Sequence, residues 1–414
     1  MLKNLFLAVC IIACGVWAQT WNIGALNATD VTATLDSEGT MTISGSGAMA
    51  NWGNNVPWQN VIGNIKAVII EYGVTNIGDL AFWRATGLTS ATIPNSVTTI
   101  GGGAFWGASR LTEITIPNSV TTIGEEAFSG ATGLTSVTIG NSVTIIGNGA
   151  FRNTRGLTEV IIPNSVTTIG DGAFRNATGL TEITIPNSVT AIGASAFSGA
   201  TGLTSVIIGN SVTIIDEWAF ENARGLTSVT IPNSVRTISV GAFCGATGLT
   251  EIISLSTTPP ATHTGAFGTG SSRVNTSIPV YVPVNSVDAY KATSGWRNFT
   301  NIIGIEDETS IVNRKICDNR HGIRFAQNIV SDKAEISVIL PNNERAIETK
   351  IVIHDMTGNV VHSGASTGSA TGLSWDLRNT AGRFVANGTY LVIAEVKSAS
   401  GKTHAYSARL GVKR

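Results

Sequence analysis

Residues 88–105 read Leu-Thr-Ser-Ala-Thr-Ile-Pro-Asn-Ser-Val-Thr-Thr-Ile-Gly-Gly-Gly-Ala-Phe, and the same frame begins again at Leu111. Phe82, Phe105, Phe128, Phe151, Phe174, Phe197, Phe220 and Phe243 fall at a fixed step of 23 residues, as do the leucines from Leu88 to Leu249. A period of this length is the mark of a solenoid, whose units cannot bury their apolar faces alone but can do so when stacked. Within a unit, Val137, Thr138 and Ile139 alternate apolar and polar, as in a strand with one buried face. Pro94, Pro117, Pro163, Pro186 and Pro232, with Gly140 and Gly209 in their place elsewhere, end that strand and turn a corner. Val97 and Ile100, with their equivalents, make a second inward pair. Ala104 and Phe105 then place a small and a large side chain in the middle, from a short helical or 3₁₀ turn. About eight coils are expected over residues 65–253, extending on the order of 40 Å if neighbouring strands pair.

The frame Leu-x-x-[Val/Ile]-x-Ile-[Pro/Gly]-Asn-Ser-Val-x-x-Ile-Gly-x-x-Ala-Phe resembles the bacterial surface-antigen class of leucine-rich repeat, the treponemal or BspA-like type. The cysteine frequent near the end of that family's unit is small here, as in Ala85, Ala108 and Thr154. The resemblance implies a mainly β leucine-rich-repeat solenoid with N- and C-terminal caps. It also implies attachment of the protein to matrix proteins, other cells or insoluble polymer.

Residues 1–18 read as a secretion signal, with Lys3, an apolar run from Leu5 to Ala13, and Val16-Trp17-Ala18 before the cut. Ile11-Ile12-Ala13-Cys14 loosely resembles a lipobox, so a lipidated Cys14 stays open as the rival. Residues 19–64 are expected to cap the array, with Trp52 and Trp58 packing on the first coil or, on a rival reading, binding sugar. Residues 254–304, with Phe267 one residue late and then Trp296 and Phe299, should close the other end. Residues 305–321 read as linker. From 322 to 414 short strands and turn clusters predict a small β-sandwich. This segment looks like the immunoglobulin-like C-terminal modules of the flagellar-hook-capping and type IX secretion sorting kind. Trp375, Gly382, Gly388 and Tyr390 carry that likeness, with the basic end Lys413-Arg414. A sorting module would engage the secretion machinery and leave the protein released or anchored at the cell surface.

Charged residues are 13% of the chain and the net charge is −1, so no global field draws nucleic acid or an anionic membrane. A membrane association is expected only through an export anchor. Cys244 and Cys317 remain after the leader, without metal-ligand spacing, and whether they pair is open. The five histidines lie outside the array, and no nucleophile elbow, zinc helix or phosphate loop is present. Glu125 and Glu126, and Asp216 and Glu217, are adjacent turn acids rather than a glycosidase pair facing across a cleft. No enzyme activity, cofactor or metal is expected.

Binding should come from positions that vary while the frame stays fixed. The residue after each repeat phenylalanine reads Trp83, Trp106, Ser129, Arg152, Arg175, Ser198, Glu221, Cys244. Trp and Arg are enriched at binding hot spots, which makes Trp83, Trp106, Arg152 and Arg175 the candidate site. Against this, edge residues of this kind can simply cover the coil. A second candidate is the strand face of Ser90, Glu113, Ser136, Glu159, Glu182, Ser205, Ser228 and Glu251. The column from Asn95 to Asn233 is either a ligand stripe or an amide ladder satisfying backbone groups. The expected partner is an extracellular protein or cell-surface macromolecule. Two rivals remain: a structural spacer of the envelope and a polysaccharide-binding accessory protein.

Overall fold

The computed structural model describes residues 18–53, 55–263 and 265–305, and beyond them 322–325, 329–330, 333–339, 346–354, 360–367, 372–386, 388–399 and 403–412. The expected leader (1–18) and linker (305–321) thus lie outside the described residues except at 18 and 305, as do Cys317, Lys413 and Arg414. The chain divides into two compact units, one ending at Gly304 and one beginning at Ile305.

In the first unit each coil has three sides. On the first, strands such as Glu113–Ile116 and Ser136–Ile139 run parallel, with Val137 opposite Ile114 and Ile139 opposite Ile116. Val137 and Ile139 point inward while Ser136 and Thr138 face solvent, because strand side chains alternate. The second side is a 10-stranded parallel sheet running from Gly47–Ala48 to Ala261–Thr262, with each inward isoleucine stacked on the last, as Ile123 is on Ile100 and Ile146.

The third side is not the helical or 3₁₀ turn read from the sequence. Turn bonds within a coil, such as Trp106 N–H to Gly103 O at 3.0 Å, alternate with bonds to the next coil, such as Phe105 N–H to Ala127 O at 2.7 Å. Two residues per coil take positive φ to allow this alternation, as Gly103 (58°) and Gly107 (74°) do in the Phe105 coil. Alternate N–H groups on this side, such as those of Phe105 and Gly107, thus point along the stack and tie each coil to the next, instead of all running along one local axis as in a helix.

The repeat phenylalanines are fully buried and stack face to face, with centroids 5.2 Å apart for Phe105–Phe128 and 5.4 Å for Phe128–Phe151 and Phe174–Phe197. The column does not stop where the 23-residue step does. Trp58 stacks on Phe82 at 6.1 Å, Phe267 on Phe243 at 5.8 Å, and Trp296 meets Phe267 edge-on at 5.1 Å. The expected eight coils are therefore about 11 turns. The step hid the outer ones because Trp replaces Phe and extra residues shift the frame. Around the N-terminal end, Gln19–Asn22 and Val31–Leu35 pair antiparallel and close the edge of the first sheet, while Thr40–Gly45 is already parallel to Ala67–Ile70. Trp58 is wholly buried and its Nε1–H donates to Ala81 O at 2.9 Å.

At the other end Trp296 Nε1–H donates to Pro260 O at 2.9 Å, and Tyr290 lies under the strand Glu251–Ser254 with its hydroxyl 2.7 Å from Ser254 Oγ. Burial pushes the Tyr290 hydroxyl up to about 12, against the opposing hydrogen bond from Ser254. A folded-state pKa above the unfolded one means that only the unfolded chain loses this proton as pH passes 10. Stability should then fall by about 2–3 kcal/mol between pH 10 and pH 12 and level off above. Denaturant midpoints at pH 9 and pH 12 for the wild type and Tyr290→Phe check this. The variant's midpoint should move less; an equal shift would place the loss elsewhere.

The second unit holds two sheets closed on one core. One contains Gly322–Phe325, Ala334–Ile339 and Gly372–Trp375; the other runs Ile329–Val330, Thr403–Val412, Gly388–Ser398, Ala346–His354, Val360–Thr367. Ile336 and Trp375 from the first sheet pack with Ile351, Ile353 and Val392 from the second. Trp375 and Tyr390 meet edge-on at 5.6 Å, and their polar ends are met by Arg378 O and Ala386 O, each at 2.7 Å.

Candidate functional site

The fixed frame puts all eight varying residues of the column on one turn edge. Trp83 and Trp106, from adjacent coils, stack with centroids 5.5 Å apart and planes 7° from parallel. The Arg84 guanidinium lies 4.6 Å from the Trp83 ring centroid and 5.5 Å from that of Trp106. Both indoles are half-buried and Arg84 is exposed, so the cluster presents ring edges and a cation to solvent. The two rings spend a face on each other, which makes them a poor flat platform for a sugar ring.

Ser129, on the next coil, is buried and separates this cluster from the arginines. Arg152 and Arg175 follow on consecutive coils. Arg152 reaches Glu126 at 3.6 Å, with both side chains 42% exposed, so the pair is worth well under 1 kcal/mol. Arg175 is exposed, its stem beside Gly172. Farther on, Ser198 Oγ–H donates to Glu221 Oε2 at 3.0 Å. Cys244 bonds no other cysteine among the described residues; its half-buried thiol has a pKa raised by burial and by the Glu221 carboxylate, which leaves it little thiolate character. The structure thus brings Trp83 and Trp106 together and Arg152 and Arg175 to neighbouring coils, without joining the two pairs. Charge along the edge passes from cationic-aromatic to basic to acidic.

The second candidate face is a flat ladder, with Ser136 opposite Glu113 and Glu159, and Ser205 opposite Glu182 and Ser228. Its flanking threonines turn their hydroxyls along the stack, as in Thr135 Oγ1–H to Thr112 O at 3.0 Å. The asparagine column behaves as a ladder at Asn141 and Asn210, whose N–H groups donate to Asn118 Oδ1 (2.8 Å) and Asn187 Oδ1 (2.7 Å). The turn acids also serve the stack: Asp79 Oδ1 accepts from Gly102 N–H at 2.7 Å and Asp171 Oδ1 from Ala194 N–H at 2.8 Å. Trp58 is in the core and Trp52 packs against it, so neither offers a sugar platform.

Two features escaped the sequence reading. Arg84 directly follows Trp83 in the chain, but adjacency in sequence does not show its place over both rings. The other is a left-handed column through the coils, Leu80, Gly103, Glu126, Gly149, Gly172, Ser195, Trp218, Gly241, whose φ only the backbone geometry reveals. Large members lean over the glycine of the next coil: a β-carbon at Gly103 would lie 2.5 Å from Leu80 Cδ2, and one at Gly241 would overlap Trp218 Cε3 and Cζ3. A large residue followed 23 positions later by glycine is the sequence signal that would have found it. Among the described residues no group of three or more His, Cys, Asp or Glu is placed to hold a metal ion, and no helix is long and apolar enough to cross a membrane.

The pattern of the BspA type leucine rich repeat region matches residues 58–180 and 167–271 in 6 copies, together more than half of the chain, and the protein belongs to this family. Among solved structures it is similar to a leucine-rich repeat protein of T. pallidum, at 25% identity over 54% of this chain and 89% of that one, with a TM-score of 0.38. A leucine rich cell surface protein of Faecalibacterium prausnitzii A2-165 matches at 20% identity over 69% and 95% of the two chains, TM-score 0.26. A leucine-rich repeat protein of Bacteroides ovatus ATCC 8483 matches at 21% identity over 67% and 98%, TM-score 0.28. No curated protein matches significantly.

Proposed function

We propose that this protein is a non-catalytic scaffold at the cell surface or beyond it that binds another protein through the turn edge of its solenoid. The observation that carries this is the Trp83–Arg84–Trp106 cluster. Here two indoles and a guanidinium gather on coils whose remaining positions hold to the frame. A protein partner fits better than a polysaccharide because the indoles stack on each other. Capture of matrix proteins, whole cells and insoluble glycans by the purified full chain tests it. The double substitution Trp83→Ala, Trp106→Ala should weaken protein capture at least tenfold, the loss expected of a hot-spot pair. Undiminished capture would leave the edge a covering only. Absence of any capture would favour the envelope-spacer reading, which the near-identity of the coils supports.

The second unit is our candidate for the export signal, on the resemblance carried by Trp375, Gly382, Gly388 and Tyr390. Its core aromatics Trp375 and Tyr390 are compatible with that role. Removing residues 322–414 should leave the protein inside the producing cell; unchanged surface delivery of the truncated chain would refute it.

A further inference from the structure

A second aromatic position on the same edge is built as the complement of the first. Trp218 occupies the left-handed column at φ 59°, where Gly103, Gly149, Gly172 and Gly241 stand in other coils. Its six-membered ring sits in the space a side chain would take at Gly241, and the residue remains 37% exposed. No ring or guanidinium contact to it occurs among the described residues, in contrast to Trp83 and Trp106 with Arg84. Three carboxylates share its turn: Asp216 and Glu217 precede it, and Glu221 follows, its N–H bonded to Trp218 O at 3.0 Å.

We infer that Trp218, with Glu217 and Glu221, is a docking point for an arginine or lysine side chain on a basic segment of a partner protein. The proposal rests on the protein-binding reading above and assigns it a second contact. The Trp83 cluster shows which group an indole on this edge accepts, since Arg84 supplies it from within the chain. At Trp218 the cation must come from outside. An aromatic ring attracts a cation through its quadrupole, and the neighbouring carboxylates add charge complementarity and steer its approach. The same carboxylates repel phosphate and sulfate, which argues against nucleic acid and acidic polysaccharide.

Hexa-arginine peptide titrated by calorimetry into the purified full chain at low ionic strength provides the test. Wild type should bind, and added salt should weaken binding. Trp218→Gly, which installs the residue that the next coil carries at Gly241 and should fold without strain, should bind about tenfold more weakly. The double variant Glu217→Gln, Glu221→Gln should also weaken it, while Glu125→Gln, at an exposed turn acid four coils away, should not. The inference is overturned if wild type does not bind the peptide, or if Trp218→Gly binds it as wild type does. It is also overturned if the ligand held in a Trp218-dependent way is instead the neutral sugar cellohexaose. None of these outcomes touches the Trp83–Trp106 capture experiment, so the two readings fail separately.

Discussion

Phe151→Ala should lower the stability of the solenoid by about 3–5 kcal/mol, the cost of truncating a fully buried phenylalanine. The ring has no exposure and stacks on both neighbours, at 5.4 Å from Phe128 and 5.3 Å from Phe174. Its removal opens a cavity that the adjoining coils cannot close, because their backbones are already tied by bonds such as Phe128 N–H to Ala150 O and Phe151 N–H to Ala173 O. In a solenoid each coil is supported mainly by its neighbours, so the defect should also uncouple the two halves. Thermal or denaturant unfolding should show the lowered midpoint, and hydrogen exchange should show faster opening around residues 128–174. Ile145→Ala serves as the control: Ile145 is 40% exposed and should change stability by only about 1 kcal/mol. Equal effects at the two positions would contradict the stacked core.

Gly202→Ala should be nearly as damaging, at about 3 kcal/mol, although it adds a single methyl group. Gly202 lies in the turn that returns each coil to its first strand. A β-carbon there would overlap the Thr178 carbonyl oxygen and come within 3.2 Å of Leu180 O, both backbone atoms of the preceding coil. Gly133, Gly156, Gly179 and Gly225 hold the same place, and Arg110 is the departure from the column. The cost is therefore set by how far the preceding carbonyl can retreat. Gly172→Ala separates this steric cost from a conformational one. Gly172 has φ 60°, but a β-carbon there meets nothing closer than Arg175 Cβ at 3.7 Å, so only the left-handed penalty of about 1 kcal/mol applies. Chemical denaturation of both variants checks the ordering; a Gly172→Ala loss as large as that of Gly202→Ala would sink the argument from coil-to-coil contact.

Several structural roles were legible in the residues and several were not. The inward set Val97, Ile100, Ala104, Phe105 and Leu111 could be named because a fixed step carries each type to the same place in every coil. The outermost turns could not be counted, because Trp58 and Trp296 take the core position off that step. The third side differs from the helical or 3₁₀ turn that local preference suggests, because local preference says nothing about which N–H groups bond within a coil and which bond to the next. At the candidate edge, sequence placed Trp83 beside Trp106, but their stacking on each other and Arg84 over both rings depend on rotamers that only packing selects. Trp218 is not marked by sequence, because its partner is a glycine a whole coil away.

The chain's periodicity by itself determined that the protein coils, which residues face inward, and where the variable edge lies. A repeat can do this because every unit faces the same choice and must bury the same face against its copy. Tertiary structure alone decided how many turns stack, how the turn side is stitched, and which exposed groups meet. Those depend on contacts between residues 23 or more positions apart, where distance in space and not order in sequence sets the energy.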